Sequence, residues 1–222
     1  MAEEKTLASG TLVIGLGRFG SAVALTLDKL GYEVLAVEKD SRRVQQFSGR
    51  IPVVEADASS LEALNQLGAR DFYSAVVGIG SSLEASVLIT ANLVDIGMTN
   101  IWAKAISREH SRILRRIGAQ HVVAPEYDAG QRTAHLVGGR MIDYIEMDKD
   151  GFAIMKLRPP KEVCGFTLSE LDLRGRYGVN VLGNLRPGAP FEYADATTRI
   201  NREDTIVVSG DTRLLEYFAN RP

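Results

Sequence analysis

Short runs of β-branched and aliphatic residues recur along the first half of the chain, separated by longer stretches whose apolar positions return every three to four residues. TLVIGL (11–16), YEVLAVE (32–38), IPVVEA (51–56), SAVVGIG (74–80), NIWAKAI (100–106) and QHVVA (120–124) read as buried strands. Between the first two, Phe19, Ala22, Val23, Leu27 and Leu30 recur at helical spacing, and Gly31 stands where a left-handed C-terminal cap belongs. Strands alternating with helices in this way predict an α/β fold over residues 11–125, a Rossmann-like doubly wound parallel sheet with right-handed crossovers.

Beyond Pro125 the pattern changes. EYDAGQRTAHLVGGRMIDYIEM reads as a helix running off the domain, broken near Gly138 and Gly139, so residues 126–140 are expected to form a crossover helix or linker. Residues 141–222 carry strand-like runs at MIDYIEM, FAIMKL, VNVLGNL and DTIVVSG, with LSELDL and TRLLEYF as short helices. That is a second, smaller α+β domain. Residues 1–10 are expected to be a flexible tail.

Composition narrows the function classes. With 45% hydrophobic and 24% charged residues the chain has the make-up of an ordinary folded protein. Twenty-six basic against 28 acidic residues give a net charge of -2, which lacks the basic footprint of a nucleic-acid binder. Cys164 is the single cysteine, so no internal disulfide forms, and with His110, His121 and His135 it makes no zinc-binding spacing. A reducing, intracellular setting is expected. The opening MAEEKTLASG is too acidic and short for a secretory signal, and Ala85–Val94 is interrupted by Ser86, Thr90 and Asn92. Any membrane role must come through a partner.

VIGLGRFG places Gly15, Gly17 and Gly20 in GxGxxG spacing between a strand and a helix, the context that this fingerprint demands. Gly15 permits the tight turn, Gly17 lets backbone amides approach a pyrophosphate, and Gly20 allows close packing of helix on strand. Glu38 ends the second strand, where a carboxylate accepts hydrogen bonds from both hydroxyls of a ribose and repels a 2'-phosphate. Arg18, inside the glycine loop, opposes the helix dipole unless an anion compensates it, which suits a phosphate contact. In ADAS (56–59), Asp57 meets an adenine edge, or Asp57 or Ser59 caps the next helix. Lys104 and Glu126 fall on the carboxyl edge of the sheet, where they hold phosphate and a divalent ion; alternatively Glu126 is an acid favoured at a helix start. Arg108, Arg112, Arg115 and Arg116 share one helix face and read as a solvated or subunit-contact surface, and the histidines receive no role. An NAD-dependent oxidoreductase is the alternative from another class, an NADH redox sensor a third. The chain shows no Tyr-x-x-x-Lys and no histidine–carboxylate pair to serve hydride transfer.

GLGRFG, the acidic end of the second strand, ADAS, VVGIG, IWAKA, RRIGAQHVVAPEYDAG, LDLRGRYGVNVL and REDTIVVSG, in that order, resemble the cytosolic regulatory subunits of Trk/Ktr-type bacterial potassium-uptake systems. The likeness covers residues 11 to about 218 and implies an N-terminal RCK (regulator of potassium conductance) domain followed by a C-terminal one. It further implies a non-enzymatic protein in the cytoplasm, peripheral to the membrane, self-associating through dimers into an octameric ring beneath a homodimeric potassium-translocating subunit. Helices after Pro125 would be exchanged between protomers. ATP and ADP, with NAD or NADH as further occupants, would compete for the cleft and shift the ring between two shapes. By matching position, Gly15, Gly17, Arg18 and Gly20 would hold phosphates, with Arg18 reaching a neighbouring subunit's γ-phosphate. Glu38 would hold the ribose, Asp57 the adenine side, and Lys104 and Glu126 would complete the cleft, Glu126 beside a divalent ion such as magnesium. Phe19, Lys39, Ala56, Ala58, Gly78, Ile79 and Gly80 are the remaining motif positions assigned to it. In relatives the C-terminal half takes cyclic di-AMP through an apolar pair, a downstream asparagine and a later proline. The matching residues are Leu168, Ser169, Asn180, Val181 and Leu182, with a polar Ser169 and with Ala196 where the proline would stand.

Overall fold

Leu12, Val13 and Ile14 make the first strand apolar on both faces, which suits only the middle of a sheet covered on both sides. The computed structural model describes residues 10–138, 140–147 and 150–222. From that first strand, β1 (Thr11–Ile14), the chain alternates through α1 (Arg18–Lys29), β2 (Val34–Glu38), α2 (Ser41–Phe47), β3 (Val53–Glu55) and α3 (Leu61–Gln66). It continues with β4 (Ser74–Val77), α4 (Leu83–Asp95), β5 (Ile101–Lys104), α5 (Arg108–Ile117), β6 (His121–Val123) and α6 (Pro125–Val137). The strands pair in parallel in the order β3-β2-β1-β4-β5-β6. Leu12 and Ile14 pack with Ile89 and Leu93 of α4 and Leu114 of α5, whereas Val13 packs with Ala24 of α1 and Phe47 of α2. The sheet is therefore wound on both faces. Between β1 and β4 the strand order reverses, and a crevice opens at the carboxyl ends of the strands.

The apolar stretch Ala85–Val94 lies within α4, with Ser86, Ile89, Thr90 and Leu93 buried. Among the described residues no helix is long and apolar enough to cross a membrane. Gly10, counted with the tail by the sequence reading, is buried. Its carbonyl accepts from the amides of Tyr73 at 3.0 Å and Ser74 at 3.4 Å. The rest of that expected tail, residues 1–9, lies outside the described residues.

One compact unit ends at Glu126 and a second runs from Tyr127 to Pro222. Helix α6 ends at Val137; of the two glycines expected to break it, Gly138 follows directly and Gly139 lies outside the described residues. Its later residues are not a free linker. Arg132 Nε donates to Asp143 Oδ1 at 2.9 Å, and His135 Nδ1 lies 2.9 Å from Glu216 Oε1, its ring stacked on Tyr144. The second unit continues with β7 (Met141–Glu146), β8 (Phe152–Leu157), α7 (Leu168–Leu171), α8 (Leu173–Tyr177), β9 (Val179–Leu185), β10 (Phe191–Tyr193), β11 (Thr205–Asp211) and α9 (Thr212–Ala219). Its strands form an antiparallel sheet in the order β10-β9-β11-β8-β7, over a core that includes Met155, Leu157, Ile206, Val208, Leu215 and Phe218. A Rossmann-type sheet is thus followed by a separate α+β domain.

Candidate functional site

The glycine loop leaves β1 through Gly15, whose φ of +88° lies in the left-handed region. A Cβ on Gly20 would sit 1.9 Å from the Gly15 carbonyl oxygen, so Gly20 is the glycine that brings α1 against the strand. Gly78, at the end of β4, serves the same junction from the other side, its Cβ direction blocked at 3.1 Å by the Gly15 oxygen and the Gly20 Cα. Gly17 is different. It is the N-cap of α1 with no side-chain cap, and a Cβ there would meet nothing within 4 Å. The first amides of a 12-residue helix therefore open onto unfilled space, an arrangement that favours an anion.

That space is a cavity of about 690 Å³ within the first unit. Gly15, Gly17, Arg18 and Phe19 line it from the loop, and Glu38, Lys39, Ala56, Asp57 and Ala58 from the ends of β2 and β3. Gly78, Ile79, Gly80, Lys104 and Glu126 line the opposite wall. Of the positions assigned to the cleft from sequence, Gly20 alone lies behind the wall, beneath the loop. The sequence reading missed Asp40, Arg43, Ser81 and Ile106, which also line it. Asp40 and Ser82, the N-caps of α2 and α4, carry cap-residue signals that could have pointed to their loops.

Glu38 is only 8% exposed and already committed. Its Oε2 accepts from the buried amide of Leu16 at 2.7 Å, and its Oε1 from the amides of Lys39 at 2.9 Å and Asp40 at 3.0 Å. Arg43 stands 3.7 Å from the same carboxylate. The acid at the end of β2 thus braces the glycine loop as well as facing the cleft. Asp57 does not cap α3, and neither does Ser59: the cap is Ser60, whose hydroxyl accepts from Ala63. Asp57 Oδ1 instead accepts from the hydroxyl of Ser59 at 2.6 Å and its amide at 3.0 Å, and Oδ2 accepts from Lys39 at 3.2 Å. The Ser59 hydroxyl and then its amide, with Lys39 adding to them, hold the Asp57 carboxyl below the usual range against the opposing effect of burial.

At the other end of the cavity Lys104 Nζ donates to Glu126 Oε1 at 2.7 Å. This bond, with the charges of Lys104 and Arg18, holds the Glu126 carboxyl below its ordinary range. Arg18 is exposed and has no ion-pair partner among the described residues. One end of the cleft therefore offers an uncapped helix terminus, an exposed guanidinium and the Lys104–Glu126 ion pair. The other offers the carboxylates of Glu38 and Asp57, with Lys39 and Arg43 beside them. His110, to which the sequence assigns no role, is buried beneath the loop that bears Ile106, and its Nδ1 accepts from the Ile106 amide at 3.4 Å. Burial pushes its pKa down. The four arginines of α5 are all exposed.

Of the residues assigned to a second ligand, Asn180 and Leu182 share one face of β9 and Val181 takes the other. Val181 belongs to the core of the second unit, so its neighbour Asn180 points to the other side of β9. Leu168 packs against that core, and Ser169 is exposed with its hydroxyl 3.0 Å from that of Thr167. Among the described residues no group of three or more His, Cys, Asp or Glu side chains is placed to hold a metal ion.

The family described as the TrkA-N domain matches residues 11–125. Ktr system potassium uptake protein C of Bacillus subtilis is similar to this chain at 33% identity over 211 residues, which is 94% of this chain and 95% of its own. Ktr system potassium uptake protein A of Vibrio alginolyticus is 34% identical over 200 residues, 89% of this chain and 90% of its own. Among solved structures, the GsuK RCK domain matches all of this chain with a TM-score of 0.69 at 17% identity, and the chain spans 49% of that one. The GsuK channel bound to NAD matches with a TM-score of 0.68 at 17% identity over 100% of this chain and 41% of its own. GsuK bound to ADP matches with a TM-score of 0.53 at 22% identity over 60% of this chain and 35% of its own. These structural likenesses concern the fold.

Proposed function

The chain belongs to the TrkA-N domain family together with the Ktr potassium uptake proteins, and from that membership we propose that it is a nucleotide-binding regulatory subunit of a membrane potassium transporter. It acts as a switch and not as an enzyme. The observation that carries the nucleotide reading is the uncapped N-terminus of α1 at Gly17, open to a cavity whose far end presents Glu38 and Asp57. Phosphates would lie over Gly15 and Gly17, the ribose at Glu38 and the adenine beside Asp57. ATP and ADP are the proposed ligands, and NAD or NADH extends across the same cleft. Glu126, 59% exposed at its mouth, would share a divalent ion with the phosphates. In this reading the subunit works in the cytoplasm as a ring of dimers beneath a homodimeric translocating subunit, and each nucleotide favours the ring shape it binds better.

Calorimetry with ATP, ADP and NADH, with and without magnesium, on a particle sized in each state tests this. Micromolar binding of ATP and ADP to a ring is the expected result, and NADH binding alone to a dimer would replace it with a redox sensor or dehydrogenase. Cyclic di-AMP belongs in the same titration, since Ser169 and Asn180 are exposed on the second unit.

Arg18→Ala separates the two adenine nucleotides. Its exposed guanidinium makes no ion pair among the described residues, so the fold tolerates its loss and ADP affinity stays within about twofold of wild type. ATP affinity falls about tenfold with loss of one charge-assisted phosphate contact, and the ATP-specific change in particle shape is lost. Equal loss of both nucleotides would place Arg18 on a phosphate they share.

A further inference from the structure

His110, on the first turn of α5, is wholly buried and does not line the cavity, yet it holds a segment that does. Between β5 and α5 the chain passes through Ala105, Ile106 and Ser107, and Ile106, half exposed, forms part of the cleft wall beside Gly80. The Ala105 amide donates to the Val123 carbonyl at 2.8 Å, and the Ile106 amide donates to His110 Nδ1 at 3.4 Å. The Ser107 hydroxyl accepts from the His110 amide at 3.1 Å, so ring and backbone of one residue both act on this segment. Because Nδ1 accepts, the imidazole is neutral and carries its proton on Nε2, which has no hydrogen-bond partner among the described residues. A leucine would fill the same space without leaving a buried donor unpaired, so packing alone does not account for the histidine.

We propose that His110 is a positioning residue for the cleft wall whose charge state sets nucleotide affinity: neutral, it accepts from the Ile106 amide and holds Ala105–Ser107 in the shape that lines the site, and protonated, it donates at both nitrogens and releases them. This rests on the nucleotide reading above and adds to it how that site is regulated. Protonation puts an N–H on Nδ1 opposite the N–H of Ile106, which replaces the bond with two opposed donors. Among the described residues no carboxylate forms an ion pair with the ring. The side of α4 turned inward carries Ser86, Ile89, Thr90 and Leu93, while its Glu84 and Asp95 are exposed, as are Glu109 and the arginines of α5 itself. Lys104 of β5 is bonded to Glu126, and His121 of β6 stacks on Trp102. Burial is accordingly what pushes the pKa of His110 down. The unfolded chain therefore takes the proton first, and stability declines as the pH falls below about 6.5; affinity declines further down, where the folded ring itself becomes charged.

The test is ATP calorimetry on the full chain between about pH 7.5 and about pH 5 for wild type, His110→Asn and His110→Leu. Asparagine offers an amide oxygen in place of Nδ1 and does not titrate, whereas leucine accepts nothing. Near neutral pH the asparagine variant should bind within about twofold of wild type and the leucine variant about fivefold more weakly, the scale of one hydrogen bond. Toward the acid end wild type should lose about fivefold more affinity than His110→Asn, which shares every other titrating group, the nucleotide's phosphates included. In the amide NMR spectrum of the ligand-free protein the Ile106 signal should shift over the same interval in wild type and stay in place in His110→Asn. Parallel affinity profiles for these two proteins would overturn the proposal, whether or not the leucine variant folds. If wild type binds no ATP at neutral pH the nucleotide reading falls, and the Ile106 signal still shows whether His110 holds the segment.

Discussion

Alanine at Gly17 leaves the fold standing and removes nucleotide binding, whereas alanine at Gly20 damages the fold itself. The two glycines belong to one motif, yet their surroundings are opposite. Beside Gly17 a methyl group meets nothing within 4 Å, and its φ of -66° suits any residue. Losing a glycine at an N-cap and restricting the unfolded chain are small effects of opposite sign, so stability changes by less than about 1 kcal/mol. The added methyl would fill the space through which phosphate approaches the amides of α1. With two charge-assisted hydrogen bonds lost, affinity for ATP, ADP and NADH falls roughly 100-fold. At Gly20 the methyl would lie 1.9 Å from a backbone oxygen, which no rotamer change relieves. Strand and helix must separate, at about 3 kcal/mol, the upper end for overpacking in a well-packed region. Thermal melts beside calorimetry decide the matter: Gly20→Ala melts about 10 °C below wild type, while Gly17→Ala melts with it and does not bind. Wild-type affinity in Gly17→Ala would mean that phosphates do not pass over this loop.

How much of this is legible in the sequence depends on the range of the interaction. The parallel strands show as β-branched runs because the central ones, β1, β2 and β4, are buried on both faces, and the glycine fingerprint encodes a local turn that any chain must make in the same way. The cleft residues follow, since the carboxyl end of every strand in such a sheet faces the same crevice. Strand β10 escapes because Phe191, Glu192 and Tyr193 are all exposed and carry no apolar face to mark it. The strand order of the second sheet depends on pairings between distant segments that no local pattern encodes. The separation of Val181 from Asn180 is legible in the alternation along β9, because neighbouring residues of a strand face opposite sides. Ser60, and not Asp57 or Ser59, caps α3 because the Asp57 carboxylate turns back onto Ser59, a choice among three neighbouring cap-forming side chains that spacing does not resolve. The Lys104–Glu126 bond and the brace from Glu38 to Leu16 join residues 22 apart in each case, and appear only once the strands bring them together.

Glu38→Gln should lose stability and nucleotide affinity together, and this distinguishes a brace from a simple ribose contact. The carboxylate accepts from three backbone amides, of which that of Leu16 is buried and lies in the glycine loop. Glutamine has the same shape but only one accepting oxygen, and its amide group would point N–H bonds at N–H bonds on the other side. Whichever way it turns, at least one backbone donor is left without an acceptor, at a cost of about 2 kcal/mol for a buried one. The loop then loses the bond that fixes Leu16 between Gly15 and Gly17, so phosphate and ribose contacts weaken at once. Affinity for ATP, ADP and NADH should fall together by about 30-fold or more, in contrast to the ATP-selective effect at Arg18. Thermal denaturation of the ligand-free protein separates the two roles. A variant that melts with wild type and yet fails to bind would confine Glu38 to the ribose. The expected loss of several degrees without any nucleotide present would instead show that the residue recognising the sugar also holds the phosphate loop in shape, so that both ends of the ligand read a single carboxylate.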